Sequence, residues 1–437
     1  MSIKLSNSHL EKDAIRAPHF FNGRLLSAED MTAERTALLR KLAQVGRATG
    51  DGIAYGLEVS GVIGGSSDTD PVVTVEPGLA INREGFAIEL NQSVDVSLLE
   101  PASSAPAALA QRPSDGGFGV CGESLGGTAY ASGRGVYLLT IAPAEGREGR
   151  AMTSGLGNLT VCCGDKSVVE GVQFRLIRLD VSPAEMDEAR VRNRVAHRCF
   201  GSGDSAFAEF TANPFGVPPL RYGLVDALRD GRLSDWEVPL AVLHWVSAET
   251  SGGRGTRFID TWAVRRRVVR PGTPGRWQPF VGDRRAAEQE AMFEQFQDEI
   301  AEVPSAERAR FVATDHFDYL PPAGVLPLAF QSTDGFTIKK FFSGIKTRSE
   351  PLYVEASRVR WLLRMAAEFP PIDLTTSLGK SRLVWHYLVD GRRGGSGSTA
   401  KPYLVFVRGD VPYVGDPHYD ANHWDFSNYA IGSAKKA

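Results

Sequence analysis

The longest strongly apolar run in this chain is VPLAVLHWV, residues 238–246. A helix that crosses a bilayer needs about 20 such residues, so no helical span is expected. Nine residues is the length of a buried strand. TRFIDTWAVRRRVV comes after the loop SAETSGGRG, and the two runs are expected to pair. The same grammar recurs. GVYLLTIAPA and GVQFRLIRLDV are strands, as are LVWHYLVDG and KPYLVFVRGDV, split by the flexible loop 391–401. VVTVEPGLAINREGFAIEL alternates around a turn at 82–85 and is expected to form a hairpin. The strand–helix–strand rhythm of a parallel α/β fold is missing. The expected class is α+β, β-rich and multidomain.

Helices punctuate the strands. In LLSAEDMTAERTALLRKLAQVG, Ser27 is the N-cap and Asp30 completes a capping box. Leu38, Leu42 and Val45 form an i, i+4, i+7 stripe, with Met31 one heptad earlier. Gly46 or Gly50 ends the helix. SPAEMDEARVRNRVAHRCF starts a second helix, expected over 183–199, with Ser182 as cap, Pro183 in the first turn and Glu185 closing the box. A third, DRRAAEQEAMFEQFQDEIAEV, carries a narrow stripe of Met292, Phe293, Phe296 and Ile300. Its charged remainder implies an exposed helix that connects domains or buries one face.

These signals divide the chain. Residues 1–100 form an N-terminal helix with a sandwich-like antiparallel β shell. Residues 101–135, rich in Gly, Pro and Ser, form a loop. Residues 136–270 make a central β-rich unit with an inserted helix. Residues 271–305 are a turn-rich linker and the polar helix, and 306–437 a C-terminal α+β unit.

Composition excludes little. Of 437 residues, 42% are hydrophobic and 23% charged, as in an ordinary globular protein. The net charge of −3 gives no field for nucleic acid or anionic membrane, and nucleic acid is not an expected partner. Arg265, Arg266, Arg267 and Arg270 are a local cluster, expected at a strand end or against acidic neighbours. The polar N-terminus has no secretory pattern, so a cytoplasmic protein is expected, unless a larger particle carries it out. Cys121, Cys162, Cys163 and Cys199 have neither zinc spacing nor a disulfide framework; buried reduced thiols are expected.

Several motifs invite chemistry. Gly-Glu-Ser-Leu-Gly around Ser124 fits G-x-S-x-G, but that elbow needs a helix after the serine. LGGTAYASGRG stands there instead, too glycine-rich for one. SLGKS at 377–381 resembles the end of a phosphate loop, yet Leu374 stands where its first glycine belongs. GDPHYDANHWDF gathers Asp416, His418, Asp420, His423 and Asp425, residue types that suit zinc or iron. Its spacing matches no assignable motif, and the interleaved Pro417, Tyr419, Trp424 and Phe426 also suit a segment that docks aromatics against a domain. His197 and His244 are expected to be structural. No catalysis and no cofactor or metal is expected.

APHFFNGRLLSAEDMTAERTALLRKLAQVGRATGDGIAYGLEVS, with VTVEPGLAINREGFAIEL after it, resembles proteins encoded with bacterial contractile injection systems, phage-tail-like particles of the extracellular type. The likeness continues in EVPLAVLHWV, RFIDTWAVRRR, YLPPAGVLPL, PLYVEASRVRWLLR and HWDFSNYA. The opening is also loosely similar to TssK, the type VI secretion baseplate adaptor. That likeness implies a trimeric adaptor with an N-terminal β shell; the β-rich middle and the C-terminal half depart from it. What the resemblance implies is a non-catalytic structural or docking component, baseplate-associated or an adaptor. It would be a homo-oligomer, with other baseplate or tail subunits as partners. The lead-in residues Phe20, Phe21, Leu25 and Leu26 are the interface candidates. At least one of the two phenylalanines has no place on the helix's own stripe and must pack under the strands or on another subunit.

Two other functions compete. One is a receptor- or glycan-binding module, with aromatics of KPYLVFVRGDVPYV and HYDANHWDF stacking on sugars. The other is a hydrolase built on the motifs above.

Overall fold

The fold is described from a computed structural model, over residues 14–61, 72–98, 135–152, 163–181, 189–201, 212–213, 215–216, 223–246, 255–265, 267–269, 283–329, 335–348, 351–389 and 403–411. It is α+β and β-rich, as the strand grammar implies.

Helix α1 (Ala28–Thr49) precedes six short strands: β1 (Gly52–Gly56), β2 (Val59–Gly61), β3 (Val72–Val75), β4 (Gly78–Ile81), β5 (Ala87–Leu90) and β6 (Val94–Ser97). They form two antiparallel three-stranded sheets, ordered β1-β4-β5 and β2-β3-β6. The expected hairpin is only partly right. β4 and β5 do pair across a turn in which Gly85 takes φ 86°, a value that favours glycine. β3 belongs to the other sheet, because the chain changes sheets at Glu76 and Pro77. Val73, Val75, Ala80, Ile88 and Leu90 alternate inward from both sheets into one core.

A four-stranded antiparallel sheet, ordered β10-β9-β7-β8, carries that core onward. Its strands are β7 (Gly135–Met152), β8 (Cys163–Leu179), β9 (Val238–Val246) and β10 (Gly255–Asp260). The two-residue period of β7 decides which side chain goes where. Tyr137, Leu139 and Ile141 join the core of the N-terminal sheets, while Val136 and Leu138 face the opposite way. There they meet helix α2 (Val191–Phe200) through Val195, Ala196 and Cys199. The sheet is apolar on both faces, which is why its strands lack polar alternation. Helix α2 begins later than expected, with Arg190 at its N-cap making no side-chain cap bond; Ser182, Pro183 and Glu185 lie outside the described residues. A short helix α3 (Leu224–Leu228) packs Val225 and Leu228 against the same cluster.

Helix α4 (Asp283–Glu302) overturns an expectation. Its stripe is apolar, but the polar remainder is not simply exposed: Glu288, Gln289 and Gln295 are buried. The helix lies between two cores. Ala291 and Met292 join the cluster under the central sheet; Phe296 and Ile300 join the next one.

Beyond it come α5 (Ser305–Arg308), α6 (Ala313–His316), β11 (Tyr319–Leu320), β12 (Ala323–Pro327), α7 (Ile338–Phe341), β13 (Leu352–Val354), α8 (Ala356–Ala366), β14 (Ile372–Asp373), α9 (Ser377–Ser381), β15 (Val384–Val389) and β16 (Tyr403–Arg408). The main sheet runs β12-β16-β15-β13, with β13 parallel to β15 and the other pairs antiparallel. One face is covered by an aromatic cluster of Phe296, Phe317, Phe336, Phe341 and Phe406; α8 covers the other with Val359, Leu362 and Ala366. The strands expected around 391–401 pair as β15 and β16, from Val384↔Arg408 to Val389↔Tyr403.

Candidate assembly surface

The lead-in and α1 are tied together at their junction. Ser27 Oγ accepts from the Asp30 N–H at 3.1 Å, and the Ser27 N–H donates to Asp30 Oδ2 at 3.2 Å. This is the capping box that the sequence implies. Arg24 fastens the preceding turn, donating to Asp30 Oδ1 and, at 2.5 Å, to the carbonyl of His19. The Ser27 backbone N–H, with its hydroxyl and Arg24, holds the Asp30 carboxyl below the usual carboxylate range. The chain therefore enters α1 along a defined path, with His19 stacked over Phe21.

That path leaves its apolar side chains outside. Phe20 is 46% exposed, Phe21 62%, Leu25 92% and Leu26 58%. Neither phenylalanine enters a core. The helix stripe is equally open, with Met31, Leu38, Leu42 and Val45 each more than half exposed. The reason lies in how α1 meets the body. Its close contact is backbone on backbone, Gly46 against the β4–β5 turn. A Cβ on Gly46 would lie 2.0 Å from the Gly85 carbonyl oxygen, and one on Gly85 2.0 Å from that of Ala43. Glycine spacing seats the helix, so its leucines are not needed for seating. A periodic stripe shows that a helix has an apolar side; it does not show whose surface that side meets.

A second projecting element was not apparent in the sequence. β7 pairs with β9 only over 135–141, yet it stays paired with β8 as far as Met152↔Cys163. Past residue 144 the two strands run on as a ribbon that pairs with no other strand among the described residues; its side chains are exposed, including Val168 and Val169, and it carries an Arg147–Asp165 ion pair at 2.9 Å. Pro143, Gly146, Gly149 and the flanking charges hid this extension, because they read as turn residues. The regular β7–β8 register is the only signal, and it is visible only in three dimensions.

Features that suggested chemistry find structural roles or fall outside the described residues. In α9, Thr376 caps the helix by accepting from the Gly379 N–H at 3.0 Å. A Cβ on Gly379 would lie 1.5 Å from the Asp373 carbonyl oxygen, so this glycine serves a close turn rather than a phosphate cradle. His197 is buried and stacked on Tyr319 at 3.4 Å, and burial pushes its imidazole down to about 4. His244 is buried beside Phe258. Cys199 is buried and in no disulfide. Arg265 pairs with Glu58 at 2.8 Å and Arg267 with Glu290 at 3.1 Å, the acidic neighbours expected of that cluster. Phe406, one of the candidate sugar-stacking aromatics, is fully buried. Among the described residues no group of three or more His, Cys, Asp or Glu side chains could hold a metal. Ser124, Arg266, Arg270 and the cluster Asp416, His418, Asp420, His423 and Asp425 lie outside the described residues.

Buried charge in this fold is structural. Glu237, fully buried, accepts from Arg175 Nε at 2.7 Å, the Thr140 hydroxyl at 2.8 Å and the Ser234 N–H at 2.8 Å. Arg192 reaches Asp260, Glu299 and Glu302, joining α2 to β10 and α4; burial pushes the Glu299 carboxyl up to about 8. No helix among the described residues is long and apolar enough to cross a membrane. No protein-family model matches the chain, and no curated protein sequence matches it.

Proposed function

We propose that this protein is a non-catalytic structural and docking subunit that assembles through its lead-in segment and the outer stripe of α1. One observation carries the reading. Phe20, Phe21, Leu25, Leu26, Met31, Leu38, Leu42 and Val45 are all exposed, on two consecutive segments held in one path. Exposed large apolar side chains gathered on adjoining segments are the kind of surface that marks interaction sites. The β7–β8 ribbon is a second element suited to reaching a neighbour.

The setting is a contractile injection particle, at or near its baseplate; this rests on the sequence resemblance alone. In that setting the partners are baseplate or tail subunits and further copies of this chain, with a trimer as the form implied by the adaptor likeness. Assembly takes place in the cytoplasm. The glycan-reading alternative has less support, since β16 turns Phe406 into the core.

The test uses Phe20→Ala and Phe21→Ala, made singly and together in the full chain. Both side chains are exposed, so the melting transition should stay within roughly 0.5 kcal/mol of the parent. Light scattering and co-purification with neighbouring gene products should show loss of assembly. Variants that unfold, or that assemble as the parent does, would remove the basis of the proposal.

A further inference from the structure

Strand β8 forms an edge of the central sheet, and among the described residues no strand pairs with its outer side. Such an edge offers a row of backbone N–H and C=O groups to another chain. From Asp165 to Gly171 every residue of the strand is exposed, and a two-stranded ribbon with both faces in water is marginal by itself. The two outer edges of the ribbon are unlike. That of β7 is blunted: Pro143 lacks an N–H, Gly146 and Gly149 have no side chains to pack, and Gly149 takes φ 71°. The β8 segment DKSVVEG has no proline and carries Val168 and Val169 at its centre, each 45% exposed.

This segment is complementary to itself. Two copies of a strand that pair antiparallel about a two-fold axis set each residue opposite the one equally far on the other side of the axis. With Val168 on the axis, Lys166 of each copy lies opposite Glu170 of the other. Lys166, Val168 and Glu170 share one face of β8 by strand alternation. Moving the axis to Ser167 or Val169 sets Glu170 against Gly164 or Val168 and loses both charge pairs. The ribbon itself calls for a cation at this place. Glu170 stands directly opposite Glu145 on β7, and like charges in that position are destabilising. Neither forms an ion pair among the described residues, and Lys166 of a second copy would lie beside them.

We propose that β8 pairs antiparallel with β8 of a second copy over Asp165–Gly171, about a two-fold axis at Val168, so that two central sheets become one. The paired valines sit at the centre of the contact. Lys166 and Glu170 fix the register on either side of them, and the backbone groups of both edges satisfy each other. The inference concerns the ribbon alone and stands whether or not the α1 surface assembles.

Charge reversal on the full chain tests it, in a Leu38→Ser/Leu42→Ser background that removes the α1 stripe from the measurement. Sedimentation across a concentration series should show this background chain forming a dimer. Lys166→Glu sets glutamates against each other on both sides of the axis, and Glu170→Lys does the same with lysines. Either change should weaken the dimer ~10-fold or more. Both residues are exposed, so the melting temperature should stay that of the background chain. Mixed in equal amounts, the two single variants should pair with each other, because one edge then carries only acids at these positions and the other only bases. A chain with both reversals should dimerise as the background chain does. A background chain that stays monomeric overturns the proposal. So do single variants that dimerise undiminished, or that stay apart when mixed.

Discussion

Replacing Leu38 and Leu42 with serine separates folding from assembly. Each side chain is 56% exposed. Full burial of a leucine is worth about 1.5–3 kcal/mol, so the fraction already buried in the isolated chain contributes roughly 1 kcal/mol or less. Serine has slightly lower helix propensity, at about 0.5 kcal/mol per site. The double variant should therefore lose no more than roughly 3 kcal/mol of stability and keep the shape of the parent's unfolding curve. If the stripe is covered by another subunit, the remaining exposed half of each leucine is buried on docking. That adds about 0.8–1.5 kcal/mol per residue, or about 1.5–3 kcal/mol for the pair. At about 1.4 kcal/mol per decade, affinity should fall roughly 10- to 150-fold. Urea titration measures the first quantity, and sedimentation or light scattering across a concentration series the second. A variant that loses much more stability than this, with association unchanged, would show that the stripe packs within the fold and that the docking argument fails.

The buried polar groups give two further expected outcomes. Glu237→Gln leaves the Arg175 guanidinium facing a neutral group, and breaking a buried pair of this kind should cost ~3–5 kcal/mol in denaturant titration. The imidazoles of His197 and His386 are both pushed down to about 4 by burial, against an ordinary value of 6.5. The unfolded chain therefore takes up protons that the folded chain refuses between those values. Stability should fall as pH drops from about 6.5 to about 4 and level off below. His386→Phe, which keeps a ring beside Phe342, should flatten that slope in melts run across the range.

The sequence exposed local rules more readily than partners. Ser27, Asp30 and Gly50 marked α1 because caps obey short-range hydrogen bonding, and the structure has all three. The runs around 238–246 and 384–408 were legible as strands because burial on both faces leaves them nearly continuous in apolar residues. What failed needed long-range information. The sheet change at Glu76 and Pro77 looks like a turn within one hairpin. The outer parts of β7 and β8 lie beyond the runs GVYLLTIAPA and GVQFRLIRLDV, and nothing local marked them as strands. The charged face of α4 suggested solvent, but Glu288, Gln289 and Gln295 face protein. The α1 stripe was visible, yet whether it faced a core or another molecule depended on Gly46 meeting Gly85, two residues far apart in sequence.

Helix α4 has a mechanical consequence. It is 20 residues long, so at about 1.5 Å per residue it is a strut of about 30 Å. Ala291 and Met292 anchor it in one core, and Phe296 and Ile300, within three turns of helix, in the other. Arg192 clamps it laterally through Glu299 and Glu302. The core between the central sheet and α2 is thus joined to the aromatic cluster of the C-terminal sheet by one hydrogen-bonded rod and not by a flexible tether. A side-chain change on this one helix therefore touches both cores at once, as no change in a linker loop would.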